Sequence, residues 1–237
     1  MPKGFSKIRG YLVLLAIVII VIVGGFWYQD YVKYQPAEEA ESEFVTYVDR
    51  GLSDQAEEQY ALIIAELENT IAEQGDTPNI GDLLKLGNAY HAVGELGKAK
   101  DTYARILIQS PDDVPALENL GTTLYDMEDY HGAEEAWVAA TELAGSELHI
   151  LRLVELIDEH IPEHKDRVKP MLELAISELG QSPGLLTALG EWYFEQADYD
   201  RAISHYQVAL TLDPDSESIQ KRLDEIKQAR SKAMQED

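Results

Sequence analysis

There is no cysteine among the 237 residues. A disulfide framework, a thiolate metal site and a cysteine nucleophile are therefore excluded. Positive charge is scarce: 19 lysines and arginines face 44 aspartates and glutamates, for a formal net charge of −25. Three of the bases, Lys3, Lys7 and Arg9, stand in the first ten residues, and the first acid is Asp30. The rest of the chain carries 16 basic and 44 acidic residues, a net of −28. That surface repels nucleic acid. It favours solubility and complements a basic partner. Signatures of catalysis are also missing. There is no glycine-rich phosphate loop and no G-x-S-x-G elbow, and serine, histidine and aspartate are scattered without a supporting pattern. No enzyme activity and no cofactor are expected.

Two fragments touch on metal chemistry and fall short of it. His160 to His164 spell H-x-x-E-H, the order of an inverted zinc-protease motif. That chemistry needs both histidines a turn apart on one helix, and Pro162 between them breaks the ladder that would hold them there. The stretch reads as an inter-helix loop with Pro162 opening the next helix. Asp213 to Glu217 has the acids of a calcium loop but lacks the mid-loop glycine and the distal glutamate. It reads as a helix boundary with capping acids. No metal site is expected.

Long apolar runs are confined to the N-terminus. Residues 11–28 contain no charge, and 18 residues of helix span about 27 Å, enough for a bilayer core. Tyr11 lies at one end and Phe26, Trp27 and Tyr28 at the other, as interfacial aromatics do. The basic residues before the run predict a cytoplasmic N-terminus and place the rest of the chain outside the cytoplasmic membrane. A cleaved signal peptide is the alternative, but no small-x-small site follows the run. A polar linker occupies 29–37. Two helices are then expected: 38–50, with Phe44, Val45 and Val48 on one side, and 54–74, ended by Gly75.

A repeated spacing organises the remainder. Leu83, Leu86, Gly87 and Tyr90 sit at i, i+3, i+4 and i+7, one face of a helix, and Ala99, Tyr103 and Ile106 make a second face. Between them the glycines of Gly94 to Gly97 form a turn. About 34 residues on, Leu117, Leu120, Gly121, Leu124, Ala133, Trp137 and Ala140 repeat the pattern. Leu186, Leu189, Gly190, Tyr193, Ala202, Tyr206 and Ala209 repeat it again. A mid-helix glycine costs about 1 kcal/mol relative to alanine. The cost is explained if the large Tyr103, Trp137 and Tyr206 need the space. A fourth, degenerate hairpin is expected at 148–182, where Val154 replaces the glycine.

This pattern resembles the tetratricopeptide repeat family over roughly three fifths of the chain. The resemblance implies an all-α fold: an α-solenoid of helix hairpins, here preceded by a single transmembrane helix. Its expected parts are a basic N-terminus at 1–10, the membrane helix at 11–28, the linker at 29–37, and a helical stalk or divergent first repeat at 38–79. Repeats follow at 80–113, 114–147, 148–182 (degenerate) and 183–216, and a capping helix at 217–237. The resemblance also implies a binding scaffold whose first helices line a concave face. Matching positions are Leu84, Asn88 and His91; Glu118, Thr122, Tyr125 and Asp126; and Thr187, Glu191, Phe194 and Glu195. The expected partner is a protein or peptide with apolar and basic side chains, and self-association into an array at the membrane is the alternative. One subfamily clamps acidic chaperone tails. Asn88, Asn119 and Arg152 fit that clamp, but Leu84 and Leu148 stand where its lysines belong, which argues against such a ligand.

Overall fold

The computed structural model describes residues 44–236. The expected membrane helix at 11–28 and the linker at 29–37 lie outside the described residues. Among the described residues no helix is long and apolar enough to cross a membrane, and none of them is in a strand. Ten α-helices and one 3-10 helix account for most of this length. They divide into two units, one ending at Pro111 and one beginning at Asp112.

In the first unit, α1 (Asp54–Gln74), α2 (Ile80–Ala92) and α3 (Leu96–Gln109) follow one another. Helix α1 has the predicted bounds. Ser53 Oγ accepts from the Ala56 amide at its start, and Gly75, at φ +74°, ends it. Helices α2 and α3 form the expected hairpin around Leu83, Leu86, Ala99, Tyr103 and Ile106, all buried. Ile71 is the buried residue of α1.

The predicted helix at 38–50 is corrected in its described part: residues 44–50 are not helical. The segment lies as a strap on the turn between α2 and α3. The Val48 amide donates to the Gly94 carbonyl at 3.0 Å, and the Gly97 amide donates to the Thr46 carbonyl at 3.1 Å. An apolar stripe of three residues is a weak helix signal, since short isolated helices are marginal in water. The turn offers main-chain partners, the Gly94 carbonyl and the Gly97 amide, that this segment takes in place of its own helical bonds.

The second unit holds α4 (Val114–Asp126), α5 (Tyr130–Ala144), α6 (Glu147–His160), the 3-10 helix (Pro162–Arg167), α7 (Val168–Leu179), α8 (Pro183–Glu195), α9 (Tyr199–Leu212) and α10 (Glu217–Glu236). Helices α4 and α5, and α8 and α9, are hairpins of the same design as α2 and α3. Asp113, Ser146, Ser182 and Asp198 cap their helices, each side chain accepting from a main-chain amide. Helices α6 and α7 form the degenerate pair, joined through the 3-10 helix. One apolar cluster runs through Ile150, Val154, Val168, Leu172, Leu186, Leu189, Tyr206, Leu223 and Ile226. Helix α10 thus closes the second unit, as a capping helix must.

The glycine-aromatic pairing is visible in three hairpins. A Cβ added to Gly87 would stand 2.5 Å from Tyr103 Cε1. At Gly121 it would stand 2.3 Å from Trp137 Cδ1, and at Gly190 2.7 Å from Tyr206 Cδ2. In the degenerate pair the same places hold Val154 and Leu172, which divide the volume differently.

Candidate functional site

The first helix of each hairpin carries the residues expected to face a partner. The structure places four of them, Glu118, Tyr125, Glu191 and Phe194, against the helix that follows their hairpin. In the second unit Glu118 of α4 meets His149 of α6, with His149 Nε2 2.7 Å from Glu118 Oε1. Tyr125 of α4 meets His160 of α6, hydroxyl to Nε2, at 3.3 Å. Glu147 of α6 accepts from the Ser182 hydroxyl at 2.7 Å, at the start of α8. Glu191 of α8 meets Arg222 of α10, whose Nε and Nη2 both lie 2.7 Å from its carboxylate. Within the second unit these polar pairs therefore form a ladder from α4 to α6, from α6 to α8 and from α8 to α10.

The remaining predicted positions are distributed as follows. Phe194 lies under the Arg222 guanidinium, 4.6 Å from centroid to Cζ, and edge-on to Tyr199. Glu195 pairs with Lys165 at 3.1 Å. Thr122 and Thr187 donate to carbonyls of their own helices, at Glu118 and Gly184. Asp126 is half-buried. In the first unit Leu84 is half-buried. Asn88 Oδ1 accepts from the Tyr103 hydroxyl at 2.7 Å, and His91 Nε2 lies 3.4 Å from Arg50 of the strap.

An aromatic cluster sits at the α4–α5 turn. Tyr125 stacks on Trp137 with centroids 5.9 Å apart and meets Tyr130 edge-on at 5.6 Å. His160 stacks on Tyr130 at 3.8 Å. Arg152 lies over Trp137, 5.7 Å from the ring, so the arginine set aside for an acidic tail has an aromatic neighbour.

Burial pushes the Glu191 carboxyl up, but the hydrogen bonds and charge of Arg222 and the hydroxyl of Tyr206 outweigh it and hold it below the ordinary range. Burial, reinforced by the Glu191 carboxylate, pushes the Tyr206 hydroxyl up.

His149, His160, Arg222 and Glu147 were missed as members of this ladder. A signal for them exists. Two of the pairs are 31 residues apart, Glu118 with His149 and Glu191 with Arg222, and two are 35 apart, Tyr125 with His160 and Glu147 with Ser182. Complementary polar residues at one repeat length, less three or plus one, mark contacts between successive first helices.

The geometry has relatives. Residues 183–216 match the family model for the tetratricopeptide repeat. The fold of the described residues is TPR-like. A crystal structure of MamA is similar with a TM-score of 0.54 at 21% identity, covering 71% of this chain and 96% of that one. Another MamA crystal structure gives 0.55 at 18%, covering 68% and 86%. MamA from residue 41 to its end, from Desulfovibrio magneticus RS-1, gives 0.51 at 18%, covering 66% and 92%. At these identities the likeness concerns the fold alone. No curated protein matches the sequence.

Proposed function

We propose that this chain is a non-enzymatic, membrane-tethered scaffold that holds a protein or peptide segment on the inward faces of its TPR-like hairpins. The observation that carries the reading is the run of first helices in the second unit, where Glu118, Tyr125 and Glu191 are held in place by His149, His160 and Arg222. A surface fixed in this way loses little entropy on binding. The described part is a TPR-type interaction fold, and the uncharged run at 11–28, flanked by bases and aromatics, supports the tether. On this reading the N-terminus is inside the cytoplasmic membrane, the repeats are outside it, and the work is envelope protein assembly. The partner carries apolar and basic side chains, complementing the acidic chain.

Photocrosslinking in the native membrane tests this. A photoreactive residue is placed at Leu84 or at Thr122, since neither side chain is tied to another helix by a hydrogen bond. A discrete heterologous adduct in the membrane fraction is expected. Full-length chain recovered free in solution sinks the tether. Adducts only between copies of this chain replace the scaffold with a self-assembled array.

A further inference from the structure

The fold divides the H-x-x-E-H stretch. His160 turns to Tyr125 and Tyr130, while Glu163 and His164, on the 3-10 helix, face the first turn of α5. There His131 and Glu134, three residues apart, share a helix face. His131 Nε2 lies 3.4 Å from Glu163 Oε1, and His164 Nδ1 lies 2.7 Å from Glu134 Oε2. The His131 and His164 rings stand edge to face with centroids 5.6 Å apart. One ligand atom from each of His131, Glu134 and His164 lies within 4.8 Å of the others. The Glu134 side chain is only 4% exposed, and Arg167 Nη1 holds its other oxygen at 2.5 Å.

We propose that His131, Glu134 and His164 bind a divalent transition metal of the zinc class, with Glu163 as a fourth donor. Two imidazoles and a carboxylate are a donor set that zinc takes, and imidazole disfavours magnesium and calcium. Two donors on one tetrahedral zinc ion, each about 2.1 Å from it, lie about 3.4 Å apart. Closure from the present spacing, within 4.8 Å, therefore asks for an inward movement of about 1 Å or slightly more. His131, whose side chain is 64% exposed, has room to make it. The metal takes the place of the proton held between His164 Nδ1 and Glu134 Oε2. Arg167 keeps Glu134 Oε1 and so orients a ligating carboxylate from behind. Its Nη1 also lies 3.4 Å from His164 Nδ1. It is the same nitrogen that holds Glu134, so it stays with the carboxylate and shifts off His164 Nδ1 as the ion enters, a movement the half-exposed Arg167 side chain permits. The ion would staple the 3-10 helix to α5, at the hairpin where the repeat spacing breaks. This proposal departs from the sequence expectation of no metal, because the donors come from two separate stretches of chain.

The test is titration of the tag-free full-length chain with Zn2+ by calorimetry, and with Co2+ by visible absorption. One equivalent is expected, with a tetrahedral Co2+ spectrum. His131→Ala should weaken binding at least tenfold, and Glu163→Gln several-fold, each with an unchanged circular dichroism spectrum. His160→Ala should bind as the wild type does. No saturable binding, or wild-type binding by both His131→Ala and Glu163→Gln, overturns the proposal. So does a loss caused by His160→Ala and not by His131→Ala. The salt bridges among Glu134, His164 and Arg167 would then be the whole role of the cluster.

Discussion

The main-chain oxygen of Val48 stands 1.7 Å from the place a Cβ on Gly94 would occupy. Gly94 has φ +81° and ends α2. The equivalent turn residues in the other two regular hairpins are Glu128, at φ 64°, and Ala197, at φ 57°. All three turns bond alike: Glu95, Asp129 and Asp198 each donate to the carbonyl five residues back. A left-handed residue is needed at each turn, yet two of the three hairpins manage it without glycine. What singles out Gly94 is the strap lying on it.

Gly94→Ala should therefore do more than its backbone conformation requires. The left-handed alanine alone costs about 1–2 kcal/mol, a cost that Ala197 already bears. The added methyl also expels the Val48 carbonyl and breaks the two main-chain hydrogen bonds of the strap. Limited proteolysis should cut residues 44–53 faster in the variant. Ala197→Gly, the control, should shift stability by less than about 1 kcal/mol and leave that cutting rate unchanged. Equal protection of the strap in Gly94→Ala and wild type would show that Val48 does not select the glycine.

Gly121→Ala places a methyl 2.3 Å from Trp137 Cδ1. Overpacking of this kind costs about 1–3 kcal/mol. Trp137 cannot simply turn away, because its Nε1 donates to the Glu118 carbonyl at 3.2 Å. The degenerate hairpin shows the alternative solution, with Val154 and Leu172 at these places, both buried. Gly121→Ala combined with Trp137→Leu should then be more stable than the sum of the two single costs. A double-mutant cycle by urea denaturation measures the coupling. Strict additivity would show that glycine and tryptophan do not share one volume.

The hairpins were legible in the sequence because their signals are local and repeated. Leu83, Leu86, Gly87 and Tyr90 mark a helix face by spacing alone, and the recurrence of Gly121 with Trp137 tells which residues meet. The strap was not legible: Val48 finds its partner at Gly94, 46 residues on, and apolar periodicity holds no record of a main-chain contact at that distance. The inward faces were half legible. Their positions follow from the repeat, which puts Glu118, Tyr125 and Glu191 on the first helices of their hairpins. Their partners lie a repeat away, so residues read as open to a ligand proved to contact His149, His160 and Arg222. Glu163 and His164 were read as part of an inter-helix stretch opened by Pro162, and they lie on the 3-10 helix that Pro162 begins; which helix each of them faces is what a linear motif hides.

Asn88 illustrates what that changes. Read as a groove residue, it predicts that Asn88→Ala leaves stability intact. The structure predicts a loss, because Asn88 Oδ1 accepts from the hydroxyl of Tyr103, which is 1% exposed. Asn88 itself lies at the surface, so water can replace part of the bond, and the cost should be about 1 kcal/mol. Asn88→Asp, which keeps an acceptor, should remain close to wild type. Thermal denaturation of the two variants decides the matter. Equal melting of Asn88→Ala and wild type would remove the hydrogen bond from the account.

Glu191 makes the strongest ladder contact, and its charge should be visible in the pH dependence of folding. Arg222 grips the carboxylate with two nitrogens at 2.7 Å, and Tyr206 donates to it as well. Its folded pKa lies below the ordinary value. A carboxyl depressed by folding contributes stability above its unfolded pKa, near 4.3, and loses it as pH falls through the folded value. The side chain is 38% exposed, so solvent screening reduces the contribution, and about 1 kcal/mol at neutral pH is a reasonable scale. Glu191→Gln should be less stable than wild type by that amount at pH 7, and the gap should close below about pH 4. Phe194 and α10 supply a second readout, since the guanidinium that binds Glu191 also covers the Phe194 ring. Loosening it should raise hydrogen exchange along α10 in the variant at neutral pH. Denaturant titrations of both proteins at successive pH values test the first point. A gap that stays constant or widens in acid would mean that the Glu191 charge is not what ties α10 to α8.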